Sequence, residues 1–281
     1  VSDYGFNWVN KWPPGISPVI ESFYANNTAP YVLEEITFSC LAIDRNDDIL
    51  GYAFEFGDGT FAYFNATAGT VVSVQHAYAS VGVYDAWVTV TDYQTLPVTS
   101  GPLTIEVSQW HFNLQLVQGW NFVAVPLVGN DYRASTLGLQ YGDFVAGWNA
   151  TAQSYDSTYI VGMSPPVKDF DIVPGVGYWI HASSAETLDI TGALPTGTQT
   201  VSITVPPAGG WVAFAFLGLE IHYAHELPGM YSGSLRLVAM FDVIAHVYLT
   251  YIPGVPKDFA IPPGCAVWLF CTSSGTLAYT P

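Results

Sequence analysis

Along the first third of the chain, apolar and polar positions alternate. Ile36, Phe38, Cys40 and Ala42 interleave with Thr37, Ser39 and Leu41, the two-residue period of a half-buried strand. Tyr52, Phe54 and Phe56 form the next run. It stops at Gly57-Asp58-Gly59, where two glycines permit positive φ and Asp58 can hold backbone N–H groups in a tight turn. Beyond a loop around Asn65, Val72, Val74, His76 and Tyr78 alternate up to a break at Gly82. Tyr84, Ala86, Val88 and Val90 then interleave with Asp85, Trp87, Thr89 and Thr91 as far as Asp92, and a last strand lies near Leu103–Val107. Six or seven short strands at this spacing predict an Ig-like sandwich over residues 18–107.

The remaining two-thirds is duplicated. The stretch from Val167 to Ile180, V-K-D-F-D-I-V-P-G-V-G-Y-W-I, returns 89 residues later from Pro256 to Leu269 as P-K-D-F-A-I-P-P-G-C-A-V-W-L. Each copy opens on a Gly-Trp strand, at Gly119-Trp120 and at Gly210-Trp211. Between these, Trp148 with Tyr155 aligns with Phe241 with Tyr248. A repeat of this size predicts two tandem β domains, 108–195 and 196–281. The second copy has drifted, with Gly177 becoming Ala266 and Tyr178 becoming Val267. Its strand Ala266–Cys271 is apolar on both faces and needs a cover; its own domain, its twin or a neighbouring subunit could supply one. The whole chain therefore reads as all-β: an N-terminal aromatic extension (1–17), the sandwich (18–107) and two duplicated β domains.

The sandwich carries a more specific pattern. Tyr52-Ala53-Phe54-Glu55-Phe56-Gly57-Asp58-Gly59, then His76-Ala77-Tyr78, then Gly82-Val83-Tyr84, then Val88-Thr89-Val90-Thr91-Asp92 resembles the PKD (polycystic-kidney-disease-type) signature in order and spacing. Phe54 stands where that family usually has Trp, a smaller ring for the same core position. The resemblance implies a structural or adhesive module of extracellular proteins, often an accessory to hydrolases or part of archaeal surface layers, with no chemistry of its own. The duplicated Trp-Asn…Gly-Tyr-Trp pattern resembles a repeat of archaeal cell-surface proteins that also carry PKD domains.

Composition narrows the class. The chain is half apolar and only 10% charged, with 23 acidic residues against 6 basic ones scattered along 281 positions. No positive stripe exists to follow a phosphate backbone or anionic lipid, so nucleic acid is excluded as a partner. No apolar run is long enough to cross a membrane as a helix. The start at Val1 reads as a mature form after removal of a signal peptide. Three sequons, at Asn26, Asn65 and Asn149, support glycosylation and an extracellular, cell-surface location. Cys265 and Cys271 lie about 20 Å apart in one extended strand and cannot bond there. With Cys40 they read as buried, inert thiols.

Candidate chemistry is sparse. His222-Tyr223-Ala224-His225-Glu226 offers two imidazoles one helical turn apart, but it lacks the zinc-protease order and a third ligand; solvated histidines in a turn are the plainer reading. His76 reads as a hydrogen-bonded core residue. Asp44, Asn46, Asp47 and Asp48 form an oxygen-rich loop suited to Ca2+, and the family resemblance adds that some PKD-like domains bind calcium near this loop. A solvated acidic turn is the simpler alternative, and no other cofactor is expected. Tyr231-Ser232-Gly233-Ser234-Leu235 lacks the flanking glycines of a nucleophile elbow. The expectation is a protein that is not an enzyme.

Self-association is expected from aromatics that no core accounts for. Tyr4, Phe6, Trp8 and Trp12 precede the first strand, and strand parity turns Trp87 outward; such rings anchor interfaces. The leading reading is a structural subunit that polymerises with copies of itself into a surface layer, sheath or filament, with other surface proteins or glycans as further partners. An adhesin or carbohydrate-binding surface protein, and the accessory region of a secreted hydrolase, remain open beside it.

Overall fold

The computed structural model describes residues 16–45 and 49–281. They divide into two compact units that meet in sequence at Ser108. The architecture is all-β, with one helix of 4 residues, α1 (Leu227–Met230).

In the first unit the alternating runs become strands that pair where their apolar faces can meet. These are β1 (Val19–Ala25), β2 (Ile36–Ile43), β3 (Ile49–Glu55), β4 (Phe61–Thr67), β5 (Val71–His76), β6 (Gly82–Thr91), β7 (Val98–Thr99) and β8 (Leu103–Val107). One sheet has the order β1-β2-β5; the other runs β4-β3-β6-β7, with β8 also pairing β6. Ile36, Phe38, Cys40 and Ala42 of β2 are fully buried, as are Leu50 and Phe54 of β3 and Ala86, Val88 and Val90 of β6. Burying each of the larger side chains contributes about 1.5–3 kcal/mol. The sandwich is therefore Ig-like, as the periodicity predicts. One element differs. The expected loop around Asn65 is strand β4, with Asn65 opposite Gly51. Its sequence FAYFNAT does not alternate because most of both its faces stay exposed.

The second unit holds both repeats. Its first half contains β9 (Trp110–Leu116), β10 (Gly119–Val123), β11 (Tyr132–Arg133), β12 (Phe144–Asn149), β13 (Ser154–Ile160), β14 (Asp171–Ile172), β15 (Tyr178–Ala182) and β16 (Glu186–Gly192). Its second half repeats them in order: β17 (Gln199–Ile203), β18 (Gly210–Phe214), β19 (His222–Tyr223), β20 (Leu235–Asp242), β21 (Val247–Tyr251), β22 (Ala260–Ile261), β23 (Val267–Cys271) and β24 (Gly275–Tyr279). The sheets match as well. A four-stranded sheet, β10-β15-β12-β13 or β18-β23-β20-β21, is accompanied by two ribbons, β9-β16 with β11-β14 or β17-β24 with β19-β22.

Each repeat keeps its own core, around Val145, Ile180 and Ile190 in the first and Val238, Leu269 and Leu277 in the second. A third cluster joins them: Phe122 and Ala124 pack with Ala213, Ala215, Ala239, Ala266 and Trp268. The cover that the doubly apolar strand β23 required is thus its twin. The expected boundary near residue 195 separates two cores and falls inside one unit.

Backbone bonds cross between the repeats in matching pairs. Ala124 N–H donates to the Gly264 carbonyl and Ala215 N–H to the Gly175 carbonyl, each at 2.9 Å. Gly175 and Gly264 end the two Pro-Gly turns with φ of +78° and +76° respectively, a conformation that costs a residue with a Cβ far more. Cys265 lies in the second of these turns, before β23, and not in one strand with Cys271; all three thiols are free.

Candidate functional site

The residues of the N-terminal signature serve the fold. Gly57 and Gly59 take φ of +82° and +89°, and a side chain at Gly57 would run into the Asp85 backbone. Asp58 accepts hydrogen bonds from Thr60 N–H at 3.0 Å and Thr60 Oγ1–H at 2.6 Å, and its second oxygen lies 2.9 Å from His76 Nε2. Desolvation opposes the charge on Asp58, but the Thr60 and His76 hydrogen bonds outweigh it and hold the carboxyl below its ordinary range. The His76 ring stacks on Phe56 at 4.0 Å, and Tyr78 donates to the Phe56 carbonyl at 2.9 Å. Asp92 is buried and caps its turn by accepting from Gln94 and Thr95 N–H. His76 is a positioned structural group.

The other singled-out residues scatter. Asn26 is exposed, its side-chain oxygen accepting from Thr37 N–H at 2.8 Å. Asn65 is exposed on β4, where Tyr93 Oη–H donates to it at 2.9 Å. Asn149 is half-buried and donates to Asp156 at 2.6 Å while capping the turn to Ala152. Asp44 is buried after β2; Asn46, Asp47 and Asp48 lie outside the described residues, as do Tyr4, Phe6, Trp8 and Trp12. Among the described residues no cluster of three His, Cys, Asp or Glu side chains is placed to hold a metal ion. The two imidazoles of the second repeat do not converge. His222 stacks on Phe216 at 3.8 Å with Nδ1 facing Glu226, and His225 Nδ1 bonds Asp258 at 2.6 Å. Asp258 takes the place that Asp169 holds in the first repeat, where Ser135 N–H and Oγ–H donate to it.

Two arrangements leave aromatic rings open to solvent. The first is the outer face of the sheet β4-β3-β6-β7. Register places Phe61, Glu55 and Trp87 in one row and Tyr63, Ala53 and Thr89 in the next. Phe61 and Tyr63 stack at 6.5 Å and are 51% and 73% exposed. Tyr93 lies over Gly51, closing a hollow of about 400 Å3 against Tyr63. Strand parity had turned Trp87 outward, and the structure puts it on this face, half-buried.

The second is a pair of clefts between the four-stranded sheets of the repeats. One, of about 460 Å3, is walled by Trp211, Leu237 and Trp268 from the second repeat and Trp148 from the first. The other, of about 470 Å3, is walled by the counterparts Trp120, Phe144 and Trp179, with Phe241 across from them. Tyr155 and Tyr248 line both, so the clefts meet along these rings. The supporting geometry is duplicated too. Trp148 meets Trp268 edge-on at 5.3 Å, and Phe241 meets Trp179 at 5.1 Å. Tyr155 and Tyr248 stand at matching places, meeting Trp148 and Phe241 at 4.9 and 5.5 Å. The duplication is legible in the sequence; the convergence of two copies on one cleft pair depends on face-to-face packing that spacing alone does not reveal.

Residues 16–107 match the family model described as PKD domain, and the N-terminal unit is a PKD domain with an Ig-like sandwich. A solved structure, the PKD domain of M14-like peptidase from Thermoplasmatales archaeon SCGC AB-540-F20, is similar at 20% identity; the match covers 34% of this chain and 98% of that one, with a TM-score of 0.31. No curated protein matches. PKD domains are typical of extracellular or surface proteins, so this unit points to an extracellular, surface-associated or accessory role. Among the described residues no helix is long and apolar enough to cross a membrane.

Proposed function

We propose that the chain is a non-catalytic structural subunit of an extracellular cell-surface assembly, a layer, sheath or filament built from copies of itself. The observation that carries this reading is the outer face and free edge of the PKD sheet. β4 is an edge strand of 7 residues with no Lys, Arg, Asp, Glu or Pro. Soluble monomers usually guard such an edge with a charge, a proline or a bulge. Here the edge adjoins Phe61, Tyr63, Trp87 and Tyr93, rings of the kind that anchor interfaces. A second copy supplies both a strand to extend the sheet and an apolar face to cover the rings. The sequons bear on this directly: Asn65 lies beside Tyr63, and a glycan there would cover the same face. Glycans are therefore expected at Asn26 or Asn149 ahead of Asn65, which intact-mass and peptide mapping of the native protein would check.

The test is sedimentation of the purified chain over a concentration series. Wild type should form large species, and Tyr63→Lys should shift the protein to monomer with an unchanged circular-dichroism spectrum, since Tyr63 is largely exposed. Deleting residues 1–12 separates the contribution of the N-terminal aromatics. A wild-type chain that stays monomeric at high concentration would overturn the reading.

A further inference from the structure

The paired clefts of the repeat unit open along the margin of the cluster that joins the repeats, apart from the PKD face. Their walls are ring faces, a few aliphatic side chains (Ala146, Leu237 and Ala239) and hydroxyls: no Asp, Glu, Lys, Arg or His lines either one. Trp120, Tyr155 and Tyr248 remain 44%, 47% and 49% exposed although they pack edge-on against neighbouring rings. Rings held at fixed angles with one face in water are platforms, since a side chain serving only the core would bury both faces.

The polar groups on these walls are few and neutral. Thr158 lines one cleft and Thr250 the other. The phenols of Tyr155 and Tyr248 reach both clefts. Each phenol can both donate and accept a hydrogen bond. The Trp148 indole is committed to the Trp211 carbonyl at 2.9 Å.

This inventory selects among ligands. An anion would find no cation in the clefts of a chain with a net charge of −17. A compact ammonium group could be held by the ring faces alone, but it would fill only a small part of about 460 Å3 and leave most of the rings uncovered. An acyl chain would leave the tyrosine and threonine hydroxyls without partners. A pyranose ring satisfies both kinds of wall, with a flat face of C–H bonds for the aromatic planes and a rim of neutral hydroxyls for the phenols and threonines. The duplication adds a further constraint: two equivalent clefts meeting at Tyr155 and Tyr248 suit a ligand that is itself a repeat of like units. We propose that the clefts form one continuous binding groove for an uncharged oligosaccharide, with one subsite supplied by each repeat.

The experiment uses the full chain against an array of neutral and charged oligosaccharides, followed by tryptophan-fluorescence titration with whichever sugar binds. The controls are oligogalacturonate, choline and phosphatidylcholine vesicles. At least one neutral oligosaccharide should bind. Tyr155→Ala with Tyr248→Ala should weaken it by about tenfold or more, whereas the paired Tyr→Phe variant keeps the rings and should lose no more than about fivefold. The Phe pair keeps the result interpretable if the Ala pair fails to fold. Trp120→Ala should weaken binding through one subsite, and Trp87→Ala, on the PKD face, should leave it unchanged.

Several results would overturn the proposal. They are no neutral sugar bound on the array, binding insensitive to the tyrosines, or preference for oligogalacturonate, choline or the vesicles. Another is a tryptophan signal that follows protein concentration alone and vanishes in the tyrosine variants, which would assign the groove to a second copy. Polymerisation through the PKD face is independent of every one of these outcomes.

Discussion

At the scale of single residues, Gly177 shows how tightly the repeats approach. A Cβ at this position would lie 2.7 Å from the Ala266 Cβ and 3.0 Å from the Phe122 ring. The second repeat tolerates Ala266 at the matching place only because Gly177 gives way. Gly177→Ala is expected to cost about 1–3 kcal/mol through overpacking, and calorimetry should register a Tm lower by about 2–4 °C for each kcal/mol. The thiols give a second residue-scale outcome. Burial pushes Cys40 up to about 11 and raises Cys271 as well, so little thiolate exists at neutral pH. Neither should react with a thiol reagent at pH ~8 until the chain is unfolded; rapid native labelling would contradict the buried placement.

Glu186 supplies the pH dependence. Burial first, and then the hydrogen bond and charge of the adjacent Asp143, raise its carboxyl above the ordinary value. Asp143 is buried as well. Desolvation opposes its charge, but donors from Ser183 and Gln140 hold it low, leaving Asp143 the ionised partner. A raised carboxyl favours the folded state while it stays protonated, so its contribution is full below the unfolded value of about 4.3 and lost as pH rises through the folded one. Glu186→Gln keeps a neutral partner for Asp143 at all pH values. Thermal melts of the variant should exceed wild type at pH ~7 and converge with it near pH ~4. A variant less stable than wild type at neutral pH would contradict this assignment.

Among the elements, legibility depended on whether a strand has one buried face. β2, β3 and β6 alternate because one side meets the core, and their residues were readable from period alone. β4 was not: Phe61, Tyr63 and Phe64 give no alternation because the strand forms an edge with most of its residues exposed. The same exposure makes it the candidate contact. The Gly-Asp-Gly turn, His76 and Tyr78 were legible as a unit because each makes a local bond that fixes its neighbours. The paired clefts were not legible, because Trp148 and Trp268 are far apart in sequence and the duplication shows that two copies exist without showing which faces meet. The Pro-Gly turns carry that information physically, since the carbonyls of Gly175 and Gly264 accept from Ala215 and Ala124, which follow the Gly-Trp strand of the opposite repeat.

For the molecule as a whole, the account joins a PKD domain with an uncharged edge to a duplicated unit closed upon itself. Self-association through the PKD sheet is its central claim. Negative-stain imaging of the purified chain, beside a Phe61→Lys/Tyr63→Lys double variant at the same concentration, tests it most directly. The account predicts ordered layers, sheaths or filaments from the wild-type chain and dispersed single particles from the double variant. Dispersed monomers from wild type, or identical polymers from both proteins, would contradict it.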